Sequence, residues 1–325
     1  MDEIMDKNSM NNNHWSTYWQ SGVLTSLPMD FKQNYDGELA DFWRGIMAQN
    51  QGHTRILDLC TGNGAVAILL QELATELEQS VSITAVDASV IHPSMVARQF
   101  PEKGPIIERI EFIGQCPVEQ MTEQLTGPFD LIVSQYGIEY CDTAGAAQAI
   151  QALLLPKGRL VFVSHAPETD IHQYMRHEER IYQLLEDLGV FGLMMNFHQD
   201  RISANGFKNK LSQLLPTMHN DPTNRSKDLF MTWLGALTQL SQMNNNQLKE
   251  QKPRMGQFTQ QYLDARARAA DMLAVSDKLT ENPQWYLSFA EHGLELIDHG
   301  PILYQGKHHA GDQFQFKVGS KSLDQ

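Results

Sequence analysis

The chain has 325 residues, 42% hydrophobic and 20% charged, enough to bury one large core or two modest ones. Its 25 Lys and Arg stand against 39 Asp and Glu, and the net charge of −14 repels phosphate backbones, which speaks against nucleic acid as a partner. Three cysteines, Cys60, Cys116 and Cys141, show no CxxC spacing, so neither a disulfide framework nor a zinc site is expected, and a reducing, cytoplasmic setting is.

The stretch MDEIMDKNSMNNN is acidic and polar where a leader would be basic then apolar, and no run approaches the length of a membrane span. A soluble protein with no membrane partner is therefore expected. Residues 1–52 read as an N-terminal extension, polar and mobile for the first dozen positions. After them HWSTYWQSGVLTSLPMDF crowds Trp15, Tyr18, Trp19 and Phe31 together. A helix is expected from Asp36 to about Ala48, with Leu39, Phe42, Trp43 and Ile46 on one face. The aromatic cluster either packs on the next domain or forms a lid over a ligand.

From 53 to 168, short apolar runs alternate with helical patterns, the signature of βαβ units and a parallel sheet. RILDLC, VSITAVD, IEFIG, FDLIVSQY and GRLVFVSH are the strand candidates. Ala65–Glu78, Ser89–Gln99, Val118–Leu125 and Thr143–Leu155 are the helix candidates, and Pro156, Lys157 and Gly158 break the chain before the last strand. Residues 169–283 change to helical stripes: Ile181, Leu184, Leu185 and Leu188; Leu229, Trp233, Leu237 and Leu240; Phe258, Tyr262, Ala269, Met272 and Leu273. Breakers at Pro216, Pro222, Pro253 and Pro283 are expected to separate them. This insertion either roofs a site and defines the substrate or forms a homodimer interface. Residues 284–325 carry LELIDHGPILY and FQFKV, joined by a polar loop holding Gly306, His308, His309 and Gly311, and read as an antiparallel hairpin that rejoins the sheet.

The first strand candidate runs into a turn, DLCTGNGA. Glycines there let a ligand approach the amides at a helix start, and Gly62-Asn63-Gly64-Ala65-Val66-Ala67 fits the loose G-x-G-x-x-A dinucleotide pattern. Alone that pattern is weak and leaves a nicotinamide-dependent oxidoreductase open. Asp58 just before the turn discriminates, since a carboxylate there is unwelcome to a pyrophosphate and acceptable to a cationic ligand.

With ILDLCTGNGA, ITAVDAS, IEFIGQCPVEQM, FDLIVSQYGIEY and LLLPKGRLVFVSH in this order over about 110 residues, the chain resembles the class I S-adenosylmethionine-dependent methyltransferases. The resemblance implies a Rossmann-like α/β fold, with a mainly parallel seven-stranded sheet whose last strand is antiparallel, and S-adenosylmethionine as cofactor. It implies that Asp58, Cys60, Thr61, Gly62 and Gly64 surround the methionine moiety, that Asp87 accepts from the ribose hydroxyls, and that Ala88 packs beside the adenine. Ser134 and Gln135 would lie beside the methionine end. Two positions depart from the pattern: Cys60 stands where many members carry a first glycine, and Gln115-Cys116 replaces the acid that meets the adenine amine. Gln115 keeps an amide oxygen for that contact. Cys60 and Cys116 read as small fillers rather than nucleophiles.

Methyl transfer asks the protein to align donor and acceptor, exclude water and remove a proton where needed. His165, at the end of the fifth strand, is the candidate general base, with Glu139 and Tyr140 behind it, and Tyr136 is placed to face the sulfonium. No Asn/Asp-Pro-Pro-aromatic motif follows the fourth strand and no Pro-Cys pair occupies the cytosine-methylation position. A small-molecule O, N or C acceptor is therefore expected. A non-catalytic module that holds the cofactor or its product, using the helical block for a protein partner, is the alternative. His172 and His177, and the adjacent His308 and His309, lack chelating spacing, so no metal is expected.

Overall fold

The computed structural model describes residues 13–26, 33–50, 52–167 and 169–319; the polar first dozen residues, Phe31 and Glu168 lie outside the described residues. In chain order the elements are α1 (Asn13–Gln20), α2 (Gly37–Met47), β1 (His53–Leu59), α3 (Ala65–Glu76), β2 (Ser80–Val86), α4 (Pro93–Gln99), α5 (Gly104–Ile107), β3 (Ile110–Ile113), β4 (Phe129–Gln135), α6 (Thr143–Leu153) and β5 (Leu154–Ser164). There follow α7 (Asp170–Asp187), α8 (Val190–His198), α9 (Ala204–His219), α10 (Asp228–Gln242), α11 (Asn245–Glu281), α12 (Leu287–Glu291), β6 (Leu294–Tyr304) and β7 (His308–Val318). The chain forms two compact units, Met1–Thr169 with Val275–Gln325, and Asp170–Ala274.

The first unit is a seven-stranded sheet in the order β3-β2-β1-β4-β5-β7-β6. β1 through β5 are parallel, and β7 runs antiparallel to β5, with Phe162 opposite Phe314 and Leu160 opposite Phe316. The central strands are apolar on both faces because both faces are covered. On β4, Leu131 and Val133 enter one core with Ile56, Ile83 and the apolar side of α3, while Ile132 enters the other with Leu57, Phe162, Phe289 and Phe316. α3 buries Ala65 through Leu70 almost continuously. Trp43 on α2 is wholly buried, which stabilises the unit by roughly 3 kcal/mol. This is the Rossmann-like arrangement expected from the motifs, and the strand order reverses between β1 and β4, opening a crevice at their carboxyl ends.

Four local expectations are corrected. Helix α4 starts at Pro93 rather than Ser89, because the amides and carbonyls of 87–92 bond to the neighbouring loops instead. Val118–Glu123 is a 3₁₀ turn. β5 begins at Leu154 and runs through Pro156, Lys157 and Gly158, the irregularity being absorbed by a register shift against β4. His308, His309 and Gly311 lie in β7, so the hairpin turn is Gln305, Gly306 and Lys307.

The second unit is helical and has its own core around Phe191, Phe197, Phe207, Phe230, Trp233 and Leu237. Pro216 and Pro253 do not break it: each lies inside a helix, α9 and α11 respectively, where the lost amide bond is outweighed by packing along the helix. Beyond Ala274, α11 belongs to the first unit, where Val275 and Leu279 are buried beneath the sheet.

Candidate active site

The crevice is built from five strand ends. After β1 the turn is held from within: Thr61 Oγ1 donates to Asp58 Oδ2 at 2.6 Å, the Ala67 amide donates to the same oxygen at 3.2 Å, and the Thr61 amide reaches Val86 O on β2. Asp58 is 1% exposed, and burial pushes its carboxyl up to about 7. Gly62 and Gly64 have φ of 55° and 95°, the left-handed region, and they carry no Cβ for a second reason. One at Gly62 would stand 2.6 Å from the indole of Trp19, and one at Gly64 2.6 Å from the ring of Phe112.

After β2, Asp87 accepts one amide on each oxygen, from Gly62 and from Ser89, both at 2.8 Å, and burial raises its carboxyl. Each oxygen retains lone-pair capacity for a further donor. Ala88 is half-buried beside it. After β3, Gln115 is exposed with φ 57°, its amide donating to Ser89 O, and Cys116 donates its amide to Asp87 O while its thiol is buried in the core with Leu57 and Val86.

After β4, Ser134 Oγ donates to Leu59 O, and Gln135 Oε1 accepts from the Trp43 indole at 2.6 Å. Tyr136 has φ 56°; its hydroxyl donates to Ala310 O on β7 at 2.7 Å, and its ring stacks on His165 with centroids 4.6 Å apart. Non-glycine residues in the left-handed region are uncommon, yet Cys60, Gln115 and Tyr136 end three of the strands that form the crevice. Cys60 Sγ lies 3.8 Å from Cys141 Sγ, and that thiol together with burial raises the Cys60 thiol well above its ordinary range. No thiolate forms there near neutral pH.

Sequence reasoning ranked Glu139 behind His165, and the structure brings the two together. The His165 amide donates to Glu139 Oε1 at 2.8 Å, and Lys278 Nζ donates to the Glu139 and Cys141 carbonyls at 3.0 and 3.3 Å. Glu139 is wholly buried, its Oε2 has no hydrogen-bond partner among the described residues, and burial pushes its carboxyl up to about 7.

Three further residues had no role assigned at the site. Asn63, wholly buried, donates through Nδ2 to the carbonyls of Trp19 and Val23 and accepts the His92 amide, tying α1 to the turn. Tyr35 is buried edge-on to Tyr136 with its hydroxyl raised by burial. Gly311 lets β7 approach: a Cβ there would stand 2.4 Å from Ser164 O. The signal for Asn63 was its place between two glycines; Tyr35 and Gly311 offered none. Among the described residues no group of three potential ligands could hold a metal, and no helix is long and apolar enough to cross a membrane.

A family model described as a methyltransferase domain matches residues 31–203. The chain belongs to this methyltransferase family. S-adenosylmethionine is the cofactor of this domain. No curated protein matches the chain. Among solved structures, YcgJ from Bacillus subtilis is 24% identical over 38% of this chain and 51% of its own, with a TM-score of 0.30. Geranyl diphosphate C-methyltransferase from Streptomyces coelicolor A3(2) is 14% identical over 39% and 42%, with a TM-score of 0.31. The glycopeptide N-methyltransferase MtfA, complexed with sinefungin, is 10% identical over 88% and 87%, with a TM-score of 0.43. The chain spans 51% and 42% of the lengths of these first two structures.

The donor set of the crevice fits the cofactor. Asp58, Asp87 and Glu139 are all buried carboxyls, and the turn carries no Lys or Arg. Such a set suits a ligand with an amino group, a sulfonium and ribose hydroxyls, and is hostile to a pyrophosphate.

Proposed function

We propose that this methyltransferase domain transfers a methyl group to a small-molecule acceptor. The carrying observation is the row of buried carboxyls at the ends of β1, β2 and β4, with a net charge of −14 behind it. In this reading the spare lone pairs of Asp87 accept the two ribose hydroxyls, while Asp58 keeps the Cys60–Gly64 turn in shape from below and lends negative potential to the amino group above it. Ala88 and Gln115 flank the adenine, and Ser134 and Gln135 border the methionine end. Cys116 contributes its backbone, since its thiol is in the core. Tyr136 and His165 form a stacked pair on the acceptor side. When bound, the cofactor supplies an electrophilic methyl group whose bond to sulfur breaks with the electron pair left on sulfur. The protein's share is orientation, exclusion of water and removal of a proton.

Titration calorimetry with S-adenosylhomocysteine tests the cofactor assignment. Hydrogen bonds to a charged acceptor are worth about 1.5–3 kcal/mol each, so Asp87→Ala is expected to weaken binding roughly a hundredfold. Unchanged affinity sinks the assignment. Turnover of methyl-labelled cofactor with a metabolite extract, and none with RNA or DNA, tests the acceptor class.

A further inference from the structure

A buried carboxylate is tolerated when a cation or a full set of donors meets it. Glu139 lacks both. It is wholly buried, only Oε1 is engaged by the amide of His165, and Oε2 has no hydrogen-bond partner among the described residues. The nearest cation, Lys278, spends its ammonium on the carbonyls of Glu139 and Cys141 rather than on the carboxylate. Asp58, by contrast, has two donors on Oδ2, and Asp87 has one amide on each oxygen.

The surroundings of Glu139 are aromatic. Tyr136 stacks on His165 at 4.6 Å, Tyr140 meets His165 edge-on at 6.0 Å, and Trp15 of α1 meets Tyr140 edge-on at 6.5 Å. The rings therefore form a chain from the end of β5 to the N-terminal helix, and the backbone amide of its His165 member reaches the carboxylate. Ring faces and a carboxylate with an unpartnered oxygen together suit a protonated amine: the carboxylate gives it a counter-charge and the rings give it cation–π contact worth about 0.5–2 kcal/mol. A neutral hydroxyl could occupy Oε2 but would bring no counter-charge.

We propose that Glu139 and the rings of Tyr136, His165, Tyr140 and Trp15 seat the ammonium group of an amine acceptor, and that Glu139 takes the proton which frees its nitrogen for methylation. The proposal rests on the methyltransferase reading above and names its acceptor class. In the proton step one N–H bond of R–NH₃⁺ breaks, its electron pair stays on nitrogen, and the proton forms an O–H bond at Oε2. A neutral amine and a neutral carboxylic acid result. Burial supports the step, since it brings the carboxyl to about 7, where it accepts and releases a proton near neutral pH.

The test uses sinefungin, a cofactor analogue that carries an ammonium-bearing carbon in place of the methyl sulfonium, beside S-adenosylhomocysteine, which lacks both charge and methyl. Calorimetry on the full chain should show sinefungin binding about tenfold more tightly than S-adenosylhomocysteine. In Glu139→Gln, which keeps an oxygen for the His165 amide, that preference should fall to within twofold while S-adenosylhomocysteine affinity stays within threefold of wild type. Asp87→Ala should weaken both ligands. No sinefungin preference in the wild type, or one that survives in Glu139→Gln, overturns the proposal while leaving the cofactor site standing. If the wild type binds neither ligand, the methyltransferase reading itself falls and takes the proposal with it. Should Glu139→Gln fail to fold by circular dichroism, Glu139→Asp decides: withdrawing the oxygen by one methylene should cut the preference at least threefold, and an unchanged preference overturns it.

Discussion

Asp58 shows how one residue serves both fold and site. Its carboxyl lies under the turn, accepts from Thr61 and Ala67, and is raised by burial from 3.8 to about 7. Asp87 is the other titratable group that raises it, and Asp58 in turn raises the Tyr35 hydroxyl. Because the folded value lies above the unfolded one, the folded state holds a proton that the unfolded state has already released between these values. Its stability contribution is fully present below 3.8 and is lost as pH rises through about 7. Asn at this position keeps an acceptor for Thr61 and Ala67 but cannot ionise. Urea unfolding at about pH 5 and about pH 8 should therefore show a wild-type stability that falls more steeply with pH than that of Asp58→Asn. Parallel pH dependence in the two proteins would mean that Asp58 titrates alike in both states.

At the scale of elements, the strand-to-helix turn and α1 act as one piece through Asn63. Asn63→Ala leaves the carbonyls of Trp19 and Val23 and the amide of His92 without their partner, and a buried group left unpaired costs about 1–3 kcal/mol. Part of that cost is recovered by water, so a loss of roughly 2 kcal/mol in urea unfolding is expected, with faster proteolytic cleavage between Trp15 and Thr25 in the native state. Stability loss without faster cleavage would show that α1 is held by its aromatic contacts alone. This coupling was not legible in the sequence, although the elements it joins were. β1, β2, β4 and β5 announced themselves as apolar runs because both sheet faces are buried. The helix expected over Thr143–Leu155 is found over Thr143–Leu153, where Asp142 caps it by accepting the Gly145 amide. What stayed hidden depended on contacts distant in sequence. Gly311 has its meaning only against Ser164, and Tyr136 against Ala310, and Glu139 gained weight only once its second oxygen was found without a partner. The prolines misled for the complementary reason: local chemistry marks Pro253 as a breaker, but α11 continues past it because Leu248 and Met255 on either side are buried in the helical core.

At the scale of the molecule, the two units have separate cores. Trp233, Phe191, Phe197 and Phe207 centre the core of Asp170–Ala274, and the crevice residues all belong to the other unit. A ligand that binds only one unit stabilises it by mass action, about 2.7 kcal/mol at a free concentration one hundred times its dissociation constant, and leaves the other where it was. α11 runs across the boundary between Ala274 and Val275. Calorimetry should accordingly resolve two transitions, of which S-adenosylhomocysteine raises one. Trp233→Ala empties a large buried site, a change that typically costs 3–5 kcal/mol, and should lower the other transition while S-adenosylhomocysteine affinity stays within about twofold. A single transition that moves as a whole with ligand, or a parallel loss of affinity in Trp233→Ala, would show instead that the helical unit and the cofactor site fold as one cooperative body, with the cost of binding shared between them.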